Sequence, residues 1–248
     1  MQVTEFSRHE ESRTTGADWE WWFCDGYGER LFGMRVQAKK LKLLRVGVPG
    51  YDFGYTPDSE RSKAVSTRQV DRLIAAAARD SLPAVYALYN GPELDLSLFN
   101  WGCCSPESRE LFGVSLLAAD VAQHSADIGV TTLAAVGGLS RPWSCCAVCP
   151  TRLQVGPSMP YWPEDPDFSL SLHAADLVAE MYARADDASS GPTSNRLALM
   201  RAAKGFREWT EAPSYVQQLV ESERSLIQGR DLLGVPPDLG GAVIFREA

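Results

Sequence analysis

The sequence predicts an α/β fold in which a mixed β-sheet is flanked by helices. The prediction depends on three observations: an early hairpin, an amphipathic helix after it, and a buried strand that follows the helix. Strand, helix and strand in this order form a crossover that makes the two strands parallel, whereas a hairpin makes its strands antiparallel. With 248 residues, 45% of them hydrophobic, the chain can form one large domain or two small ones.

The hairpin is predicted from two strands at residues 18–24 and 31–41. The first alternates polar and aromatic residues, the second is rich in Val, Leu, Phe and Met, and Asp25 to Gly28 supply turn residues between them. A turn centred near Tyr27 and Gly28 places Asp18 opposite Gln37. Because strand side chains alternate between two faces, Gln37 and Lys39 point the same way.

The next two elements are a helix that ends at Arg79 and a buried strand at residues 84–89. Apolar residues share one face of this helix, namely Val70, Leu73, Ile74 and Ala77. A hydroxyl at residue 66 or 67 is expected to cap its beginning. Gln69 could face the hairpin from this helix, but a solvent-exposed glutamine is the favoured interpretation.

Beyond residue 90, strands are predicted at 111–117 and 131–136, helices at 172–185, 197–206 and 214–228, and a small strand at 242–245. Prolines between residues 157 and 166 mark a loop or linker. We therefore expect a core domain at residues 1–150 and a mainly helical extension at 151–248, which could also belong to the same domain.

The hairpin carries residue types that suit a divalent metal site. Mg²⁺ and Mn²⁺ prefer oxygen ligands, usually one or two carboxylates together with a substrate phosphate. Asp18 is the expected bridging ligand, Gln37 offers a neutral carbonyl oxygen, and Lys39 could orient the attacking water or offset charge on the phosphate. In the purely structural interpretation, Asp18 is a turn residue and Lys39 is part of a solvated strand end.

A further carboxylate is needed to complete such a site. Glu11 is favoured because it lies in a segment that reads as a short helix beside the hairpin. Glu10 and Glu20 are the alternatives. The tryptophans of the first strand are expected to pack in the core rather than stack on bases.

At Gly16-Ala17-Asp18 and Gln37-Ala38-Lys39 the chain resembles the PD-(D/E)XK, or restriction-endonuclease-like, nuclease superfamily, in particular its Mrr-like branch, in which glutamine replaces the second acidic residue. It is also similar to a bacterial family of uncharacterised proteins that share Thr-Gly-Ala-Asp-x-Glu-Trp-Trp and Gln-Ala-Lys motifs. The resemblance covers residues 1–90. It implies that Asp18 and Gln37 are metal ligands, Lys39 the catalytic lysine and Glu11 the acid of the first helix.

The resemblance implies a nuclease that hydrolyses phosphodiester bonds in DNA with Mg²⁺ or Mn²⁺ and has a role in bacterial restriction or phage defence. The C-terminal helices would then form a homodimer or bind a regulatory protein or activating ligand. The alternative is a catalytically degenerate nuclease fold that binds or senses a ligand and scaffolds a complex. A cysteine hydrolase using Cys103 or Cys145 has little support.

The formal net charge of -8 argues against a protein that coats nucleic acid generally. Residues 30–51 contain six Lys and Arg but no Asp or Glu, however. This basic strip suits a phosphodiester substrate, and it equally suits an exposed edge strand that lysines protect from aggregation.

The sequence favours a cytoplasmic protein, because residues 1–13 lack the apolar segment of a signal peptide and no stretch is long enough to span a membrane. The six cysteines are then expected to be reduced. Cys103, Cys146 and Cys149 could hold a structural Zn²⁺, although ordinary buried thiols are the favoured interpretation.

Overall fold

The computed structural model describes residues 2–5, 16–25, 30–44, 47–56, 67–91, 113–146, 170–187, 205–208, 211–221 and 241–246. The strands are β1 (Gln2–Glu5), β2 (Trp19–Cys24), β3 (Arg30–Lys40), β4 (Lys42–Leu43), β5 (Pro49–Gly50), β6 (Ala84–Tyr89), β7 (Val114–Ala118), β8 (Arg141–Pro142), β9 (Phe206–Glu208) and β10 (Gly241–Arg246). The helices are α1 (Gln69–Arg79), α2 (Ala119–Asp127), α3 (Leu133–Val136), α4 (Leu170–Asp187) and α5 (Ser214–Glu221).

The main sheet has the strand order β1-β10-β2-β3-β6-β7-β8, and β9 pairs with the beginning of β3. Two neighbouring pairs are parallel, β10 with β2 and β3 with β6, and the others are antiparallel. The prediction of an α/β protein with a mixed sheet is therefore confirmed.

The predicted register of the first hairpin is also confirmed. Trp19 pairs with Val36, and the backbone N–H of Asp18 donates to the carbonyl of Val36 at 2.9 Å, so Asp18 lies opposite Gln37. On its other edge, β3 pairs with β6 in parallel, as the crossover predicts. β3 is therefore paired with β2 over residues 31–36, whereas Lys39 and Lys40, beyond the start of β2, pair with β6 alone.

Alternate residues of β2 and β3 contribute to two separate hydrophobic clusters. Phe23, Phe32 and Met34 belong to the larger core, together with the buried residues of α4. Trp22 and Leu31 belong to a smaller cluster with Tyr215 of α5 and Ile244 of β10. This division follows from the period of two along a strand, and it leaves Asp18, Glu20, Arg35, Gln37 and Lys39 on the side that α1 and α5 cover.

The start of α1 differs from the prediction of a hydroxyl cap. Arg68 occupies the position before the helix in an extended conformation, and its side chain makes no capping hydrogen bond. Instead, the first helical N–H, that of Gln69, donates to the carbonyl of Tyr55 at 3.0 Å. Because a backbone carbonyl from another segment satisfies this donor, the helix needs no hydroxyl there.

Two other sequence predictions are wrong. The stretch 131–136 is not a strand: Leu133–Val136 is the short helix α3, and the side chain of Thr132 accepts a hydrogen bond from the backbone N–H of Ala135. A short apolar run after a threonine fits either state by pattern alone. Phe206 is the first residue of β9 rather than the end of a helix, because it pairs with Phe32. Residues 197–204 lie outside the described part of the chain.

Elements from both sides of residue 150 contribute to the same sheet and to both hydrophobic clusters. The predicted helix at 172–185 corresponds to α4, whose buried residues join the main core. The small predicted strand corresponds to β10, which lies between β1 and β2. The described part of the C-terminal segment thus completes the sheet that carries the hairpin.

Among the described helices, none combines the length and hydropathy that a bilayer-crossing segment requires.

Candidate functional site

Three of the four predicted site residues meet where β2 begins and β3 ends. Asp18 immediately precedes β2, and Gln37 and Lys39 are two residues apart on β3, so their side chains project from the same face of the sheet. Gln37 is buried, with 4% of its surface exposed, whereas Asp18 and Lys39 are partly exposed. The site therefore has a buried amide between two charged groups that solvent can reach.

A continuous chain of hydrogen bonds joins these side chains through a fourth residue, Gln69 of α1. Lys39 Nζ donates to Gln69 Oε1 at 2.6 Å, and Gln69 Nε2 donates to Gln37 Oε1 at 2.7 Å. Gln37 Nε2 then donates to Asp18 Oδ2 at 2.6 Å. The backbone N–H of Ala38 donates to the same Asp18 oxygen at 2.8 Å, which fixes the carboxylate against β3.

The prediction of an exposed Gln69 is wrong, because only 7% of its surface is accessible. It is the first residue of α1, one helical turn before the buried Leu73. Its place on the apolar stripe was the signal that could have identified it, since residues i and i+4 lie on one helical face. A polar residue at the end of such a stripe faces the sheet with its amide free to bond.

Lys39 is held by more than its bond to Gln69. Its ammonium lies 5.3 Å from the ring centroid of Tyr55, which is a cation–π contact. The backbone carbonyl of Tyr55 also accepts the first N–H of α1, so this one residue connects the lysine to the helix that carries Gln69. Asp52 and Asp18 add favourable electrostatic interactions with the ammonium.

Burial shifts the pKa values of Asp18 and Lys39 in the directions that favour their neutral forms. Burial raises the pKa of Asp18, although hydrogen bonds from Ala38 and Gln37 and the charge of Lys39 oppose this shift. Burial likewise lowers the pKa of Lys39, against the attraction of Asp52 and Asp18. Removal from water destabilises the charged forms of both side chains. A cation beside Asp18, or an anion beside Lys39, would therefore interact with the charged side chain strongly.

Tyr86 is a further polar residue beside the site, and no sequence motif identified it. It pairs with Gln37 across β3 and β6, and its ring contacts that of Phe53 at a centroid distance of 5.1 Å. Its buried hydroxyl has no hydrogen-bond partner among the described residues, and burial raises its pKa. A buried donor of this kind usually bonds to water or a ligand.

Glu20, an alternative metal ligand by sequence, belongs to a separate buried cluster. Its carboxylate accepts hydrogen bonds from Trp22 Nε1 at 3.0 Å and from the hydroxyl of Tyr215. Glu20 Oε1 also lies 3.2 Å from Arg35 Nη2, and that nitrogen is 2.5 Å from Asp80 Oδ2. These contacts are ionic rather than directed hydrogen bonds. The Glu20 carboxylate therefore has a structural role, because it connects β2, β3 and α5.

Several predicted ligands cannot be placed. Glu11 and Glu10 lie outside the described residues, as do Cys103 and Cys149. Cys146 is fully buried, and so is Cys145, which the hydrolase alternative proposed. Within the described ranges, no three His, Cys, Asp or Glu side chains converge to hold a metal ion.

The basic strip does not form one continuous surface. Arg35 is fully buried, and Lys42 forms an ion pair with Asp52 at 2.9 Å. Lys40 is exposed at the end of β3, one residue from Lys39 and on the opposite face. Among the described residues of the strip, Lys39 interacts with the carboxylate of Asp18.

The oxygen atoms of Asp18 and Gln37 are chemically suited to a hard divalent cation. The fit depends on the orientation of the Gln37 amide, because its nitrogen and not its oxygen now faces Asp18. Rotation of the amide about its last side-chain torsion would bring the oxygen beside the carboxylate, and this torsion is soft in glutamine. With that rotation the donor set fits Mg²⁺ or Mn²⁺.

Comparison with known proteins gives one match. The model of a family of unknown function, DUF6615, covers residues 1–247, which includes the hairpin, α1 and the C-terminal strands. No curated protein and no solved structure matches the chain. Because the family model covers nearly every residue, the chain belongs to DUF6615, a family of unknown function.

Proposed function

We propose that the protein is a metal-dependent nuclease with a restriction-endonuclease-like core, which hydrolyses phosphodiester bonds in DNA in the bacterial cytoplasm and acts in restriction or phage defence. The observation that carries the proposal is the convergence of Asp18, Gln37 and Lys39 on one face of a hairpin at hydrogen-bond distance. The order of elements supports it as well, since β3 is followed by α1 and then by the parallel strand β6.

The chemistry follows from the residue types. Asp18 and Gln37 would hold Mg²⁺ or Mn²⁺, with Glu11 as a further carboxylate, and the cation would polarise the phosphate and lower the pKa of a bound water. Lys39 carries the positive charge that offsets negative charge gathering on the phosphate oxygens. Water would attack phosphorus in line and lose a proton to solvent, the bond from phosphorus to the leaving oxygen would break, and that oxygen would take up a proton from solvent. A homodimer or a regulatory partner would control access to this site.

The test is a cleavage assay on plasmid, linear DNA and RNA with Mg²⁺, Mn²⁺ or EDTA. We expect metal-dependent cleavage of DNA that falls at least about 100-fold in Asp18→Ala and in Lys39→Ala. Lys40→Ala and Asp176→Ala are matched controls, because Lys40 is exposed on the opposite face of β3 and Asp176 is exposed on α4. Both controls should retain wild-type rates.

Cleavage that persists in Asp18→Ala and Lys39→Ala would contradict the proposal and indicate another site. The rival function, a degenerate fold that binds or senses a ligand, is favoured by one observation: the Gln37 nitrogen rather than its oxygen faces Asp18. If the folded protein binds no divalent cation and cleaves no substrate, this rival replaces the nuclease.

A further inference from the structure

The hydrogen-bond chain from Lys39 to Asp18 has a fixed direction. A lysine ammonium only donates hydrogen bonds, and an ionised carboxylate only accepts them. The amides of Gln69 and Gln37 lie between these ends, with separations of 2.6, 2.7 and 2.6 Å along the chain. Each amide must therefore turn its oxygen toward the lysine and its nitrogen toward the aspartate.

This direction is incompatible with a cation shared by Asp18 and Gln37. For the Gln37 oxygen to face the carboxylate, its nitrogen must face Gln69, where it would meet the nitrogen of the second amide. Gln69 must then rotate too, and its nitrogen would face the ammonium of Lys39. Two donors cannot bond to one another, so Lys39 has to leave Gln69.

We propose that Gln69 is a positioning residue in an amide relay, formed by Asp18, Gln37, Gln69 and Lys39, that couples occupation of the cation site to release of the Lys39 ammonium. This inference rests on the proposed function, because it deepens the role of the same site. Without the cation, the relay holds the lysine against Gln69 and the ring of Tyr55. With both amides reversed, the lysine is free to meet a phosphate.

The relay predicts that loss of the Gln69 amide strengthens cation binding. In the wild-type protein, cation binding must reverse two amides and break the bond between Lys39 and Gln69, which opposes binding. Gln69→Leu removes this opposition with a side chain of similar size. We expect it to tighten Mn²⁺ binding about fivefold or more by calorimetry, in the range of ordinary coupling between sites. Loss of a merely structural residue would weaken binding instead.

A second readout needs no variant. Acylation of Lys39 by acetic anhydride, followed by mass spectrometry, should rise about fivefold or more when Mg²⁺ saturates the wild-type protein, because the ammonium leaves its partners. Lys40, exposed on the other face, serves as the internal control and should keep its rate. In Gln69→Leu the Lys39 rate should be high without the cation.

The outcomes separate the two hypotheses. If the wild-type protein binds Mn²⁺ but Gln69→Leu binds it no more tightly, or if Mg²⁺ leaves Lys39 acylation unchanged, the relay is overturned and the nuclease proposal stands. If the folded wild-type protein binds neither Mg²⁺ nor Mn²⁺, both are overturned. Tighter binding in Gln69→Leu together with cation-dependent acylation of Lys39 supports the relay, whether or not a DNA substrate is cleaved.

Discussion

Gly16 occupies a position that a residue with a side chain cannot share. Its φ of +68° lies in the left-handed region, and an added Cβ would stand 2.5 Å from the carbonyl oxygen of Gln69. The glycine therefore lets the chain pass directly beneath the first turn of α1 before it enters β2 at Trp19. This close approach explains why a glycine precedes Asp18, and it positions Gln69 over the hairpin.

Gly16→Ala should destabilise the protein and lower cleavage activity. The backbone conformation alone costs about 1 to 2 kcal/mol, and the clash would displace α1 together with Gln69. Gly129→Ala is the matched control, because Gly129 has a φ of +69° with no atom near its added Cβ. Urea unfolding and the DNA assay check this. Equal stability losses and full activity in both variants would show that the approach to α1 has no role.

At the scale of elements, a buried ionic cluster ties the hairpin to the C-terminal part of the chain. Glu20 of β2 lies opposite Arg35 of β3, and both are almost completely buried. Tyr215 of α5 donates to Glu20, and Asp80, just after α1, supplies a second carboxylate to the arginine. Burial raises the pKa of Glu20, while the charge of Arg35 opposes that shift. The cluster thus connects the hairpin to α5 and to the end of α1 beside the site.

Glu20→Gln should therefore impair stability and leave cation binding intact. Removal of one partner from a buried ion pair costs about 3 kcal/mol, because Arg35 keeps its charge without its fully buried counterion. Asp80→Asn is the comparison, since Asp80 is partly exposed and its loss should cost about 1 kcal/mol or less. Thermal unfolding and Mn²⁺ calorimetry measure the two effects. A marked loss of cation affinity in folded Glu20→Gln would restore Glu20 as a ligand.

At the scale of the whole molecule, strands from the two ends of the described sequence form one side of the sheet. β10 pairs in parallel with β2 and in antiparallel with β1, so the strand beside the hairpin comes from the last part of the chain. The buried face of α4 adds Leu177, Val178 and Met181 to the main core. The hairpin and its Asp18 therefore depend on residues far along the sequence.

A truncated chain that ends at residue 150 should fail to fold as an independent nuclease domain. It would lack α4 and β10, so apolar core surface and an edge of β2 would be exposed to water. Removal of residues 247–248 is the control, because it leaves β10 whole. Circular dichroism and thermal unfolding provide the measurement. A cooperative transition in the 1–150 fragment would show that the core is a separate domain.

The hairpin register, α1 and β6 could be predicted because each depends on a local pattern. Polar and aromatic residues alternate along β2, and turn residues near Tyr27 set the pairing of Asp18 with Gln37. The spacing of Val70 and Leu73 similarly indicates a helix. The pattern did not reveal Thr132 as a helix cap, because a short apolar run carries too little periodicity to separate strand from helix.

The sequence by itself determined the faces of the strands, and with them the convergence of Asp18, Gln37 and Lys39, because side-chain direction along a strand is a local property. Only the tertiary structure decided that Gln69 turns inward, that Glu20 pairs with Arg35 and Tyr215, and that β10 lies beside β2. The contact of Glu20 with Tyr215 joins residues 195 positions apart, and the pairing of β10 with β2 joins residues still farther apart. Their formation depends on how whole elements pack, which local periodicity does not specify.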